Sequence, residues 1–423
     1  MRAPGPLPVA RVDTSVATGI PRRVDLPLRF WNQVAHYATP ASDTHKVGLA
    51  IREGTRPVER MLAAQGLAAD DVAARLGLDA AAVADALSTP VRAPVVVLDG
   101  EDAVAQGVGP WSSVLAVAGE AFRDGDWGAP PGLGTVRAFR VNRLVDRGAP
   151  DRVAALLRSL AVPAGPDAYP LDAVVYPKAE TPDEIGVLLD LLDSTERTLR
   201  LPSEHIRVAL IAESAAAIAD LDTLATRAGP RLCAIIAGMA DYVADVGAMA
   251  DPDLFPGGRW VRSVVVNAAA ARGVPAIDGM TMAYPLRHHG PATEDGRRRF
   301  LDRVALAFES ARDAFDLGMS GKWVGHPVQL FAVLLAWRTT LHPAFVDAQV
   351  EVLRAYRAAL DRGDGVLAIE GSMVDAASER LARVRLRRAA ATGLLDAARA
   401  FELGVIAPGE LVPAADHLRA ATG

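Results

Sequence analysis

The sequence predicts an α/β fold, a (β/α)8 TIM barrel with an N-terminal extension and a helical C-terminal region. Short apolar or β-branched runs recur along the chain, and amphipathic segments separate them. Such runs are typical of parallel strands that are buried on both faces. Most of these runs end in charged residues, glycine or proline. Because the catalytic residues of these barrels follow the carboxyl ends of the strands, the charged ends predict an active-site rim.

The strands and helices of the barrel can be placed in order. The candidate strands are residues 47–52, 94–98, 136–141, 173–176, 208–212, 234–237, 275–277 and 322–325, the first having the least distinctive pattern. Helices are predicted at residues 148–161, 181–197, 214–228, 258–272 and 295–317. Parallel strands joined by helices of this length form right-handed βαβ units.

The length of 423 residues exceeds the roughly 250 of such a barrel. We therefore expect an N-terminal arm at residues 1–44, rich in Pro, Gly and Arg at its start, and the barrel at residues 45–330. Two short Ala-rich helices near 67–90 are interpreted as an insertion. Residues 331–423 are predicted to form a helical C-terminal region, with helices at 330–342, 345–362 and 376–402.

The composition excludes several classes of protein. With 51% apolar and 23% charged residues the chain is that of a globular protein, and a net charge of −6 gives no electrostatic footprint for nucleic acid. No apolar stretch of 18 residues predicts a membrane span, and the first residues lack the apolar core of a secretion signal. We therefore expect a cytoplasmic protein. Cys233 is the only cysteine, which excludes a disulfide framework.

Two carboxylates follow adjacent predicted strands. Glu213 comes directly after VALIA, and Asp241 comes after AIIAGMA. Carboxylate oxygens without Cys or His partners suit Mg²⁺, which takes one or two protein carboxylates and completes its shell with water and substrate. Mn²⁺ is a second candidate. The alternative is that each acid caps the helix that follows it.

Arg140 ends the strand VRAFR and is expected to reach the same rim. Its guanidinium can bind a carboxylate or stabilise a developing oxygen charge. The alternative is a salt bridge to Asp99 or Glu101, and both can hold at once. Together with Asp102, these acids form a dense acidic turn. We expect it to hold Arg140 or metal-bound water.

Three further residues lie at strand ends. Lys178 could form a Schiff base, but a pairing with Glu180 or with acids of neighbouring strand ends is the favoured interpretation. His326 follows the eighth strand and is interpreted as a packed histidine that shapes the mouth, with metal binding as the less favoured alternative. Gly238 permits a tight turn or a close approach of ligand to backbone.

Six motifs occur in an order that resembles the citrate lyase β-subunit-like and malyl-CoA lyase-like family of the HpcH/HpaI aldolase superfamily. The motifs are LDGEDAV at 98–104, FRVN at 139–142, YPKAE at 176–180, GMAD at 238–241, GKWVGHPVQ at 321–329 and EGSMVD at 370–375. Two positions depart from the family's pattern, since Gly100 replaces a leucine and Gly325 an isoleucine. The family's opening strand is matched only loosely by residues 47–61, a region that contacts the phosphates of CoA in members that use CoA.

The resemblance implies Glu213 and Asp241 as Mg²⁺ ligands and Arg140 as the contact to a substrate oxygen. It implies Asp375 as an acid/base that a neighbouring subunit delivers, whereas the sequence alone favours a helix N-cap. The implied protein is a homo-oligomer, a trimer or hexamer.

The implied activity is Mg²⁺-dependent carbon–carbon lyase or aldolase chemistry on a 2-oxo or 2-hydroxy acid, with an acyl-CoA thioester as the partner. The alternatives are a CoA-free 2-oxo-acid aldolase, a malate synthase- or thioesterase-like activity, and a non-catalytic barrel that acts as an accessory subunit.

Overall fold

A computed structural model describes residues 24–101, 111–127, 134–161, 169–285 and 293–410. Eight parallel strands form a closed barrel in chain order, which confirms the predicted fold class. The strands are β1 (Ala35–Pro40), β2 (Val95–Asp99), β3 (Val136–Arg140), β4 (Ala173–Tyr176), β5 (Arg207–Ala212), β6 (Leu232–Ala237), β7 (Ala276–Asp278) and β8 (Gly321–Val324). Pairing of β1 with β8, from Ala35 opposite Lys322, closes the ring.

The predicted first strand at residues 47–52 is wrong. These residues lie in α1 (Thr44–Gly48), which Asp43 caps, and in the π-helical turn Leu49–Glu53 that follows. The first strand is AHYATP, which contains too many polar residues to read as an apolar run. It is a strand because its polar side chains find partners inside the barrel. His36, for example, lies 3.0 Å from Gln33 Oε1 and beside the ring of Trp323. The predicted arm at residues 1–44 therefore includes a barrel strand.

The other seven strands lie within two residues of their predicted positions. The helices between them are α2 (Val58–Ala63), α3 (Ala69–Leu76), α4 (Ala80–Ser88), α5 (Trp111–Asp124), α6 (Ala149–Ser159), α7 (Pro182–Leu199), α8 (Ala215–Ala219), α9 (Leu221–Ala228), α10 (Met239–Asp245), α11 (Gly258–Arg272) and α12 (Glu294–Leu317). The helix predicted at 214–228 is thus divided into α8 and α9. The two helices predicted near 67–90 are present as α3 and α4.

The C-terminal region is helical apart from one hairpin. Its helices are α13 (Pro327–Thr340), α14 (Pro343–Asp361), α15 (Ala376–Ala391) and α16 (Ala397–Glu402). The helix predicted at 376–402 is divided because Gly393 adopts a left-handed conformation, with φ of 76°. Between α14 and α15 lie the antiparallel strands β9 (Leu367–Ile369) and β10 (Ser372–Val374). None of the described helices is both long enough and apolar enough to cross a membrane.

Candidate active site at the carboxyl ends of the strands

The two predicted metal ligands follow neighbouring strands. Strands β5 and β6 pair in parallel up to Ala212 opposite Ala237, so their carboxyl ends meet at one edge of the barrel. Glu213 follows β5 directly and is only 3% exposed. Asp241 lies in the first turn of α10, and its side chain is 43% exposed. One carboxylate is therefore deep in the mouth and the other stands nearer to solvent.

Gly238 makes room for the deep carboxylate. A Cβ atom at this position would lie 2.3 Å from Cβ of Glu213 and 2.7 Å from its Oε2. Any side chain would therefore displace Glu213 from the mouth. The structure thus gives Gly238 a direct physical role beside the predicted ligand.

Glu213 is a buried acid whose charge is incompletely compensated. Burial raises its pKa to about 8, and the nearby carboxylate of Asp241 adds to the increase, while Arg140 and Lys178 oppose it. The nearest guanidinium nitrogen, Nη2 of Arg140, is 4.0 Å from Oε1. Oε1 accepts a hydrogen bond from the backbone N–H of Lys178 at 2.8 Å. An acid in this state gains from a nearby cation in its charged form.

The backbone of Lys178 is held in an unusual conformation by this contact. Its φ of 49° is in the left-handed region, which costs a non-glycine residue about 1–2 kcal/mol. Such strain is concentrated at functional sites. Here it aims the N–H of Lys178 at Glu213 while its side chain turns toward the acids across the mouth.

The side chains of Arg140 and Lys178 share one acid. Glu101 accepts a hydrogen bond from Nζ of Lys178 at 2.8 Å and forms a close ion pair with Nη2 of Arg140. Nη1 of Arg140 lies 3.4 Å from Oδ2 of Asp99. Nζ of Lys178 also lies 3.9 Å from Oδ1 of Asp241. Acids of neighbouring strand ends therefore hold both cations, as the sequence suggested.

Two sequence-based expectations around this cluster have different outcomes. Of the two kinds of partner predicted for Lys178, an acid of another strand end, Glu101, is in contact with it, and Glu180 forms an ion pair with Arg143 at 2.7 Å. Asp102, predicted to belong to the acidic turn, lies outside the described residues.

His326 and Asp375 both begin helices. Nδ1 of His326 accepts a hydrogen bond from the backbone N–H of Val328 at 3.2 Å at the start of α13, and burial lowers its pKa to about 4. Oδ1 of Asp375 accepts from the backbone N–H groups of Ala377 and Ser378 at the start of α15. Asp375 therefore has the N-cap position that its sequence favours. Its role as an acid/base stays a prediction.

One residue of the mouth was missed by the sequence analysis. Tyr284 follows β7 by six residues, and its ring lies 6.1 Å from that of His326 in an edge-on arrangement. No motif contains Tyr284. The available signal was Gly325, the glycine that stands where the resembled family has isoleucine, because its missing side chain leaves space for a neighbour.

The donor set fits a hard divalent cation. Glu213 and Asp241 offer carboxylate oxygens from adjacent strands, and the buried acid lacks a fully compensating charge. Within the described ranges no group of three or more His, Cys, Asp or Glu residues forms an all-protein metal cage. Two carboxylates with the remaining positions left to water and substrate are the arrangement that Mg²⁺ favours.

Comparisons with known proteins match a part of the chain that includes four residues of the mouth. Residues 166–295 match the model of the HpcH/HpaI aldolase/citrate lyase family, a range that includes Lys178, Glu213, Gly238 and Asp241. The L-malyl-CoA/beta-methylmalyl-CoA lyase of Cereibacter sphaeroides strain ATCC 17025 is 29% identical over 240 residues, which are 52% of this chain and 67% of the relative. The enzyme of the same name from Haloarcula marismortui is 25% identical and matches 49% of this chain and 58% of its own length.

A solved structure shares the architecture. The citrate lyase from Burkholderia xenovorans LB400 is 18% identical and superposes with a TM-score of 0.56, covering 88% of this chain and 94% of the other. At this identity the likeness concerns the fold. The sequence matches show that residues 166–295 form an HpcH/HpaI aldolase/citrate lyase domain, and the superposition shows a shared fold.

Proposed function

We propose that this protein is a Mg²⁺-dependent carbon–carbon lyase that acts on a 2-oxo or 2-hydroxy acid with an acyl-CoA thioester as its partner. The observation that carries the proposal is Glu213, a buried acid with pKa raised to about 8 at a barrel mouth, with Asp241 on the adjacent strand end. The relatives named L-malyl-CoA/beta-methylmalyl-CoA lyase support the choice of substrate class.

Glu213 and Asp241 would hold the cation in this proposal. A bound divalent cation supplies Lewis-acid polarisation of the acid's carbonyl or hydroxyl oxygen. Gly238 keeps Glu213 in place, and the N–H of Lys178 orients its Oε1. Lys178 Nζ, 3.9 Å from Asp241, limits the negative charge around the second ligand.

Arg140 would stabilise the charge that develops on an oxygen when the carbon–carbon bond breaks or forms. A guanidinium that its neighbours hold in place needs no reorganisation at the moment of reaction. Asp99 and Glu101 hold it on two sides, and its side chain is only 8% exposed. Arg140 is thus preorganised beside the carboxylates.

Asp375 would exchange the proton at the carbon that becomes nucleophilic, acting in the mouth of a neighbouring copy. Its carboxyl is exposed, and the N–H groups of Ser378 and Ala377 lower its pKa, so it is charged at neutral pH. It follows the hairpin β9–β10, which comes after all eight barrel strands in chain order. A closed homo-oligomer would supply one copy to every site.

The metal and the reaction are tested on the same variants. Calorimetric titration with Mg²⁺ and assays of malyl-CoA cleavage to glyoxylate should give binding and turnover for the wild-type protein. Both should be lost in Glu213→Gln and in Asp241→Asn. Glu180→Gln is the matched control, because Glu180 also follows a strand but pairs with Arg143. Unchanged Mg²⁺ affinity in both ligand variants would exclude the site.

The shared site is tested by subunit mixing. Asp375→Asn and Glu213→Gln chains, each inactive alone, should regain part of the activity when they are mixed and exchanged, because some sites then combine two intact copies. No recovery after verified exchange would mean that Asp375 does not act across a subunit boundary.

A further inference from the structure

The mouth has a second wall, at the ends of β7 and β8, where one tyrosine occupies the space of a missing side chain. Gly325 is the first residue after β8. A Cβ atom there would lie 1.9 Å from the hydroxyl oxygen of Tyr284 and 3.1 Å from Sδ of Met280. No side chain can share this space with Tyr284. The position of Tyr284 therefore depends on the glycine that departs from the resembled family.

The loop that carries Tyr284 is anchored on both sides. Asp253 accepts hydrogen bonds from the backbone N–H groups of Met282, at 3.0 Å, and Ala283, at 3.1 Å. Gln329 of α13 donates to the carbonyl of Thr281 at 2.8 Å. The same loop is therefore tied to the β6–α11 connection and to the helix after β8.

Further contacts hold the backbone and the hydroxyl group of Tyr284. Arg303 of α12 donates to the backbone carbonyl of Tyr284, and Gln329 accepts from the N–H of Gly325 at 3.1 Å. The hydroxyl of Tyr284 donates to Sδ of Met280 at 3.2 Å. The loop is therefore anchored through its backbone, and the phenol contacts Met280 and the ring of His326.

The side chains that contact Tyr284 are uncharged, and the ion pair of Asp278 and Lys322 on β7 and β8 is buried. Met280 is a thioether, and burial keeps the imidazole of His326 neutral and the phenol of Tyr284 protonated by lowering the pKa of the first and raising that of the second. Arg140, Lys178 and the acids lie after β2 to β6 instead. A charged carboxylate or phosphate suits the charged side, and an alkyl group suits the wall of Tyr284.

We propose that Tyr284, in the space that Gly325 leaves open, is a specificity-determining residue that limits the alkyl group on the nucleophilic carbon of the thioester. The inference rests on the proposed function, because it concerns the thioester partner of that reaction. In condensation, this carbon loses a proton to the general base and bonds to the carbonyl carbon of the oxo acid, whose oxygen then takes up a proton. The alkyl group stays attached throughout, so its size decides whether the carbon can approach.

The test is condensation of glyoxylate with acetyl-, propionyl- and butyryl-CoA, compared by kcat/KM. Tyr284→Ala should raise the butyryl-to-acetyl ratio by about tenfold or more, the range in which extra methylenes are discriminated by a packed pocket. Tyr284→Phe keeps the ring and should leave the ratio within about twofold of the wild-type value. If Tyr284→Ala does not fold, Tyr284→Leu gives the same comparison with a smaller change.

An unchanged ratio in the folded, active Ala or Leu variant overturns the inference and leaves the proposed function intact. So does a Phe variant that shifts the ratio as much as the Ala variant, since the hydroxyl and not the size would then be responsible. A wild-type protein that condenses none of the three thioesters overturns the proposed function, and the inference with it.

A double-mutant cycle separates the packing from the activity. Gly325→Ala should lower the melting temperature in the wild-type background, because its Cβ meets the Tyr284 hydroxyl at 1.9 Å, and should have little effect in Tyr284→Ala. Additive effects would mean that the two residues do not share the space, which overturns the inference independently of any assay.

Discussion

A buried glutamate lies at each end of β5 and β6, Glu196 of α7 at the amino ends and Glu213 at the carboxyl ends, and their surroundings differ. At the amino ends, Glu196 lies between the starts of β5 and β6. It accepts from Nη1 of Arg231 at 2.7 Å and from the backbone N–H groups of Glu204 and Ile206. At the carboxyl ends, Glu213 has one backbone N–H and a guanidinium nitrogen at 4.0 Å.

The difference separates a structural acid from one suited to binding. Glu196 has a buried arginine in contact, so its charge is balanced within the chain. Glu213 is equally buried, and burial raises its pKa to about 8. Burying a carboxyl that must be protonated at neutral pH destabilises the fold, whereas a bound cation would favour its charged form. Glu213 at the carboxyl ends therefore lowers the stability of the fold, whereas Glu196 at the amino ends does not.

The largest expected effect is on catalysis at the mouth. Glu213→Gln should reduce kcat/KM for malyl-CoA cleavage by about a thousandfold, since it removes a ligand of the proposed cation. Its melting temperature at pH 7 without added metal should be equal to or above that of the wild type, because the amide is buried without the cost of protonating a carboxylate. A clear fall in melting temperature would show that Glu213 is a structural acid like Glu196.

The same substitution at the amino ends of the strands, Glu196→Gln, should affect stability instead of catalysis. Glu196→Gln leaves the buried guanidinium of Arg231 without its main partner and should lower the free energy of unfolding by about 3 kcal/mol. Urea denaturation measures this loss. The kcat of the folded variant should stay within about twofold of the wild-type value, since the site lies at the other end of the strands. A large loss of kcat would contradict the assignment of a structural role to the amino ends and a catalytic role to the carboxyl ends.

Substitution of Arg140 should affect catalysis, whereas substitution of Arg231 should affect stability. Arg140→Lys keeps the charge but loses the planar fork, and should lower kcat by about tenfold to a hundredfold, measured in steady-state assays at saturating substrate. Arg231→Lys is the matched control, expected to lower stability with kcat preserved. Equal kcat in wild type and Arg140→Lys would remove Arg140 from the charge-stabilising role.

A smaller effect is expected from pH at the uncharged wall. His326 has a folded-state pKa lowered to about 4 by burial, against 6.5 for the exposed group. Between these values the unfolded chain binds more protons, so the stability that His326 allows is fully present above pH 6.5 and is lost as pH falls toward 4. His326→Asn keeps an N-cap acceptor and should reduce this acid destabilisation by about 1–3 kcal/mol.

Urea denaturation at pH 7 and pH 4.5 checks this expectation. Parallel losses of stability in wild type and His326→Asn between these pH values would contradict it. The substitution leaves the acids of the opposite wall unchanged, so any difference belongs to the imidazole.

Most of the barrel was predictable because its signals are local. The seven strands from β2 to β8 are apolar runs followed by charged residues, glycine or proline. Thr181 caps α7, as its sequence indicates. The exception is β1, whose residues His36 and Tyr37 look polar in isolation. Both are buried in the barrel, where His36 lies beside Trp323 of β8, so the local pattern does not reveal the strand.

Some features of the site also follow from local sequence, and others depend on the tertiary structure. The sequence by itself determined that Glu213, Asp241 and Arg140 follow strand ends, because parallel strands in one barrel bring their carboxyl ends together. It also determined the N-cap at Asp375, which depends on residues two and three positions away.

Only the tertiary structure decided the charge states and the partners. The pKa of Glu213 depends on burial by residues far along the chain, and Lys178 meets Glu101 across 77 positions. The contact of Tyr284 with Gly325 likewise joins the loop after β7 to the end of β8. A local pattern fixes where a side chain emerges from its element. What surrounds that side chain, and so its charge and chemistry, is set by the elements that the fold packs against it.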